Sequence, residues 1–429
     1  MKTIREQIKN LKGADALKSI ENLRKDSVFT WNAQLLQYGV EACRILNDKE
    51  NEKFYLRANP DTVAFFNTTY NVINYILLTD SAERLAVVPT DTLPSDECGM
   101  LEPPKYKYRK TNKETLIHIY KNFLAAPRYY NAHSNWAETQ RFTGLAIDLG
   151  NSPFMQSFRQ TLIPASTMTE LAVLNINSCY RQQKFEEIER YASLAVQDSA
   201  NAESIIEKLA YCEIERGDSA AYRSRLEEGH SRFPSNMFFF SRLVDVYLRD
   251  GNNNAVLNTA NETLEYVLHT AQDEAELCVI DAEGHYEQPS DARALEGVKE
   301  SVSLPSSDIA QVFEAKAISF HNNGNSRACI EEAENILSWN PEHPRADFYI
   351  GVSYYNLAEN IDIPTLVNDP NYLKATRERN RMLTLARPHL EAYRKTAPEE
   401  SDVWAPLLYE VYLYLNLGAE FEEISSYIH

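Results

Sequence analysis

Apolar and small side chains recur along this chain in a helical rhythm. Between Ser307 and Pro341 they fall at Ala317, Phe320, Gly324, Cys329, Ala333 and Ile336, a spacing that predicts two short helices joined by a tight turn at Asn323-Gly324-Asn325. The same offsets return at Leu209, Gly217, Tyr222, Leu226 and Pro234, and again at Leu243, Tyr247, Gly251, Val256 and Ala260. Asn175 to Leu209, Leu209 to Leu243, Gly217 to Gly251 and Lys316 to Ile350 are each 34 residues apart. One hairpin exposes more apolar face than it can bury alone, so hairpins repeating at a fixed period must stack on their neighbours.

A helix-turn-helix pattern with a period of about 34 residues is the tetratricopeptide (TPR) signature. The chain resembles that family over roughly Thr169 to Tyr427, with Gly351 at the family's eighth position and Pro234, Pro341 and Pro398 as closing prolines. Asn175 and Lys316 stand where the family favours Leu. The resemblance implies an all-α fold, a TPR-like α-α superhelix or solenoid of helical hairpins.

The rest of the pattern divides the chain. Residues 1–88 read as N-terminal helical hairpins or a cap, with Ile4, Ile8, Leu11, Leu17 and Ile20 at helical spacing. A helix from Ser27 to Leu46 is expected to stop at an Asn47-Asp48 turn, and Asn59-Pro60-Asp61 to end one helix and start another that runs to about Thr79. Residues 89–113 read as a Pro-rich and basic irregular loop, because Pro89, Pro94, Pro103 and Pro104 do not fit a regular helix. A degenerate hairpin and connection follow over 114–168, then the array over 169–429. Phe185 to Tyr191 there matches the family's second-helix pattern. The array is interrupted by a degenerate acidic repeat at about 271–306 and an insertion at about 360–373, after which a long second helix runs to Lys395.

Composition narrows the class. The chain is 44% hydrophobic with only 13 glycines, too apolar for disorder and too poor in Gly for a sheet-based fold. A net charge of −19 argues against general nucleic-acid binding, which needs a positive surface to release counterions. Two basic stretches run against that balance. Lys105-Tyr106-Lys107-Tyr108-Arg109-Lys110 interleaves bases with aromatics, as a polyanion site would or as a loop whose tyrosines pack beside acidic neighbours. Lys374, Arg377 and Arg381 share one helix face, to hold an anion or simply to be solvated. Ala271 to Glu314 holds eleven acids against Arg293 and Lys299, a solvated face or a docking site for a basic partner.

No residue pattern predicts chemistry. There is no His-Glu-x-x-His, Gly-rich phosphate loop or Gly-x-Ser-x-Gly, and the nine histidines form no metal-binding pair at helical spacing. The six cysteines include no Cys-x-x-Cys and read as small buried hydrophobes. No cofactor, metal or catalytic residue is expected, and no 18-residue apolar run predicts a membrane span.

In the TPR family the first helices of successive hairpins line a concave groove for peptides or partner proteins. The resemblance places Glu207 and Tyr211, Phe238 and Asp245, Glu314 and Ile318, Arg345, Phe348 and Tyr355, then Tyr409 and Tyr412 on that groove. The clamp that grips a C-terminal carboxylate in some members is not matched, since Ser241 and Asp245, and Glu314 and Ile318, replace its types. Asn47 to Lys53 running into Asp61 to Thr68, and Leu385 to Glu391, also look like TPR proteins of Bacteroidetes bacteria. That likeness implies a cell-envelope location if an export signal has been removed, and otherwise the start reads as that of an intracellular chain. The expectation is a non-enzymatic protein- or peptide-binding scaffold or adaptor. The alternative is a glycan- or ligand-binding envelope protein.

Overall fold

The computed structural model describes residues 1–86, 106–156, 158–275, 304–366 and 368–428. Their regular structure is helical, with no strand among the described residues. The chain divides into two compact units, Met1–Gly217 and Asp218–His429. Each is a TPR-like stack of antiparallel helical hairpins.

The first unit holds α1 (Lys2–Lys9), α2 (Gly13–Arg24), α3 (Ser27–Thr30), α4 (Ala33–Leu56), α5 (Thr62–Leu85), α6 (Arg109–Ala132), α7 (Trp136–Asn151) and α8 (Arg159–Leu162). It continues with α9 (Ala165–Arg181), α10 (Phe185–Ile188), a 3₁₀ turn at Glu189–Tyr191, α11 (Ala192–Ala195) and α12 (Ala202–Glu215). The second holds α13 (Ser219–Arg232), α14 (Met237–Arg249), α15 (Asn253–Ala275), α16 (Ser306–Asn322), α17 (Ser326–Trp339), α18 (Ala346–Glu359), α19 (Tyr372–Thr396), α20 (Ser401–Tyr414) and α21 (Gly418–Ser425). Within each unit the helices of a hairpin pack on one another and hairpins pack on the next, as α17 does on α18 and α19 on α20.

One local device recurs at six of the turns among the described residues. Leu11, Ser134, Gln183, Gly251, Gly324 and Asn416 each end a helix in the left-handed region, with φ between 55° and 71°. The residue that follows donates its N–H back into the finished helix, as Asn325 does to the Phe320 carbonyl at 2.9 Å and Asn252 to that of Tyr247 at 2.8 Å. Where that residue is Asn it also caps the next helix. Asn135, Asn252 and Asn325 accept from the backbone N–H of Glu138, Ala255 and Ala328 at 3.2 to 3.3 Å. Each cap stabilises its helix by about 1 kcal/mol.

The packing explains the 34-residue register. In the second unit Phe240, Val256, Phe313, Ala333, Ile336 and Ile350 share one buried cluster. Leu383, Leu390, Tyr393, Trp404 and Leu408 form another, and the half-buried Phe348 and Tyr354 touch both. The hairpins of α14–α15 and α16–α17 pack directly on one another through α15 and α16. The acidic repeat expected at about 271–306 falls mostly outside the described residues, as do Cys98 and Cys278. The remaining four cysteines are buried and free, and burial pushes the Cys43 thiol up to about 12.

Several boundaries differ from expectation. No turn forms at Asn47-Asp48, because α4 continues to Leu56. Asn47 is buried, and its amide donates to the Thr69 and Thr68 hydroxyls of α5 at 2.8 and 3.0 Å, so a turn-forming residue acts instead as a bond between helices. The helix after Asp61 runs to Leu85 rather than Thr79. The basic stretch at 105–113 is already helical from Arg109, and it lies against α5. Arg109 pairs with Asp80 at 2.7 Å and stacks over Tyr106 at 3.7 Å, while the Tyr108 N–H donates to Glu83 at 3.2 Å. The helix expected through Phe185 to Tyr191 is broken by the 3₁₀ turn. Among the described residues no helix is long and apolar enough to cross a membrane.

Candidate functional site

The expected groove residues occupy first helices of the hairpins, but the structure separates them into several roles. In the second unit, Phe238 is half-buried on α14, its ring capped by the Arg242 guanidinium at 3.9 Å, and Asp245 is exposed about two turns further along the helix. On α16, Ile318 packs on the core and Glu314 lies 3.6 Å from the His343 ring. On α18, Phe348 is half-buried between His321 and Tyr393, with ring centroids at 6.2 and 5.0 Å.

Arg345 and Tyr355 bind the stack rather than leaving their polar ends free. Arg345 pairs with Glu400 at 3.3 Å, and the Tyr355 hydroxyl donates to the Glu410 carboxylate. Both partners lie 55 positions further on, so the two contacts join the start and the end of α18 to the next first helix. Burial and the facing Glu410 push the Tyr355 hydroxyl above its ordinary value, keeping it a donor.

Tyr409 is half-buried beside Phe421, with centroids 4.6 Å apart. Tyr412 is corrected from groove to core: it is 3% exposed, and its hydroxyl donates to Glu391 at 3.0 Å. Its helical spacing from Tyr409 gave no means of telling the inner face of α20 from the outer one. Tyr211 belongs to the first unit, 42% exposed, with its ring against Tyr180 and Phe185. Lys374 and Arg377 are exposed on α19, and Arg381 pairs with Glu378 at 3.4 Å.

A second site was not anticipated. In the first unit a cleft of about 730 Å³ opens between α7 and the broken α10–α11 segment, reaching Tyr70 and Asn74 on α5. Gly144 leaves room in its wall, since a Cβ there would meet nothing closer than the Tyr191 hydroxyl at 3.7 Å. Its charges answer one another. Arg190 and the Tyr191 hydroxyl both donate to Asp148, at 2.9 and 3.2 Å, Lys184 donates to Gln140 at 2.9 Å, and Arg141 stacks 4.3 Å above Tyr70.

Asn175 lines this cleft. Its amide donates to the Thr143 hydroxyl at 2.8 Å and the Gln140 carbonyl at 3.1 Å, tying α9 to the preceding second helix. A signal was present: Asn175 occupies the register of Leu209 and Leu243, where a buried amide demands partners that a leucine does not. The other departure from that register, Lys316, is also buried, and pairs with Glu332 at 2.8 Å.

No family model matches the chain, and no curated protein matches it. Among solved structures the chain is similar to the crystal structure of the P58(IPK) TPR domain, at 12% identity over 92% of this chain and 96% of that one, with a TM-score of 0.24. It is similar too to yeast Tom70, at 12% identity over 99% and 93% of the two chains with a TM-score of 0.20. A circular tandem repeat protein with novel repeat topology matches at 13% identity over 99% and 89%, with a TM-score of 0.22. Whole-chain likeness at that level adds nothing to what the packed hairpins establish, so the TPR-like fold rests on the hairpins themselves.

Proposed function

We propose that this chain is a non-enzymatic scaffold that docks a protein or peptide along the first helices of its second unit. The observation that carries the reading is that Phe238, Phe348, Tyr355 and Tyr409 are half-buried aromatic side chains borne by the first helices α14, α18 and α20. Such rings offer large contact area at low conformational cost, and the exposed Asp245, about two turns further along α14, adds charge.

The test is capture from the native organism with substitutions that spare the stack. Phe238→Ala combined with Asp245→Lys should lose a specific partner, while Arg190→Ala on the other unit should keep it. Circular dichroism of each variant verifies folding. Retention of every specific partner by the folded double variant overturns the reading.

A second reading, of a protein that binds a glycan or another small polar ligand, draws support from the cleft beside Asn175. Its volume falls in the range of ligand sites, and amides, carboxylates and guanidinium groups line it. A saccharide array, with Gln140→Ala as control, tests it: no retained glycan sinks the glycan form.

A further inference from the structure

A smaller pocket of about 230 Å³ lies in the second unit among α13, α14 and α15. It is lined by the second helices α13 and α15, with Leu243 and Tyr247 of α14 between them. His230 lines it and is 3% exposed, yet neither ring nitrogen makes a well-formed hydrogen bond. Its nearest partners are loose, the Glu262 carboxylate 3.5 Å from Nε2 and the Thr259 backbone, so the ring keeps hydrogen-bonding capacity for an occupant.

The chemistry around the ring is acidic. The Glu262 carboxylate lies 3.5 Å from His230 Nε2 on a side chain that is 65% exposed, and Glu227 is held at the rim by the Tyr247 hydroxyl, which donates to it at 3.0 Å. Among the described residues no Lys or Arg lines the pocket. The nearby Arg223 stands 5.9 Å from the Tyr247 ring centre and is already paired with Asp250. Burial holds His230 below its ordinary value of 6.5, opposed by Glu262 and the Thr259 backbone, so near neutral pH the ring is uncharged and one nitrogen is an acceptor.

We propose that this pocket receives the guanidinium of an arginine side chain carried by a docked peptide. A planar fork of N–H donors can serve the unprotonated His230 nitrogen and the Glu262 carboxylate together, while Glu227 supplies further negative charge. A lysine ammonium is a point charge without that fork. The inference does not depend on the aromatic side chains of α14, α18 and α20 being a docking face.

Titration of the full chain with arginine amide, followed through the imidazole resonances of His230, tests it. The expected result is a saturable shift for arginine amide, none for citrulline amide, and affinity for lysine amide at least fivefold weaker. Glu262→Gln, a change at an exposed side chain that leaves the fold intact, should weaken arginine amide at least fivefold. A response that does not saturate, an equal response to citrulline amide, equal affinity for lysine amide, or unchanged affinity in the Glu262 variant overturns the assignment.

Discussion

The Tyr355 hydroxyl donates to the Glu410 carboxylate, so a side chain near the end of α18 is held by the first helix of the following hairpin. A hydrogen bond to a charged acceptor contributes roughly 1.5–3 kcal/mol. Tyr355→Phe should therefore lower the stability of the second unit by about that amount while leaving the helix content of the folded protein unchanged. Urea unfolding followed by circular dichroism measures it. A variant as stable as the parent would show that the contact holds nothing, and would return the hydroxyl to the pool of candidate docking groups.

Two glycines should respond to alanine for different reasons. A Cβ on Gly351 would lie 2.8 Å from the Leu390 side chain and 3.1 Å from its backbone nitrogen, at the closest approach of α18 and α19. Overpacking of this kind costs typically 1–3 kcal/mol. A Cβ on Gly324 would meet nothing within 4 Å, but the residue sits at φ +71°, and an L side chain there costs roughly 1–2 kcal/mol. Crystal or NMR comparison should show the Gly351→Ala variant shifting α19 and the Gly324→Ala variant leaving the packing in place. A Gly351→Ala protein of unchanged stability and packing contradicts the close approach.

Lys316 and Glu332 form a buried pair, each side chain 11% exposed, at 2.8 Å. Removing one partner leaves a charge buried without its counterpart, at a cost of roughly 3–5 kcal/mol. Lys316→Met should destabilise by that order, whereas Lys316→Met with Glu332→Leu should recover most of the loss. Thermal unfolding of the two single variants and the double variant forms a cycle. Simple additivity of the singles would show that the two charges do not depend on each other.

Stability should fall on the acid side of neutral because of two histidines. Burial lowers the pKa of both His230 and His321 from 6.5. Above that value the rings are neutral in the folded and unfolded chains alike, and their contribution is fully present. As pH falls below 6.5 the unfolded chain takes up protons that the folded one refuses, so folding weakens until pH passes the depressed folded values. Urea midpoints measured from pH 7.5 to 5 should decline, and His321→Gln should flatten the decline. A slope unaltered by that change would assign the effect to other groups.

The sequence by itself determined the module. Turn residues such as Gly324 and Asn325 act through backbone conformation and a cap two or three residues away, and apolar positions at 3.6-residue spacing must face a neighbour wherever that neighbour lies. Both are local or periodic properties, so the hairpins and their 34-residue register were legible without coordinates. The long second helix of residues 372–396 was also legible to within a few residues, because Pro364 and Pro370 before it and Pro398 after it restrict the chain locally.

What only the tertiary structure decided is which side of each helix is spent on its neighbours. Asn47 reads as a turn residue until α5 presents two hydroxyls to it, and Tyr412 reads as a groove residue until α19 presents Glu391. Arg345 and Tyr355 have the composition of a binding face, yet their partners Glu400 and Glu410 lie 55 residues away. A hydrogen bond or ion pair depends on the positions of two distant side chains at once, and neither periodicity nor residue type carries that distance. The clefts beside Asn175 and His230 arise the same way, from gaps between second helices that no single helix encodes.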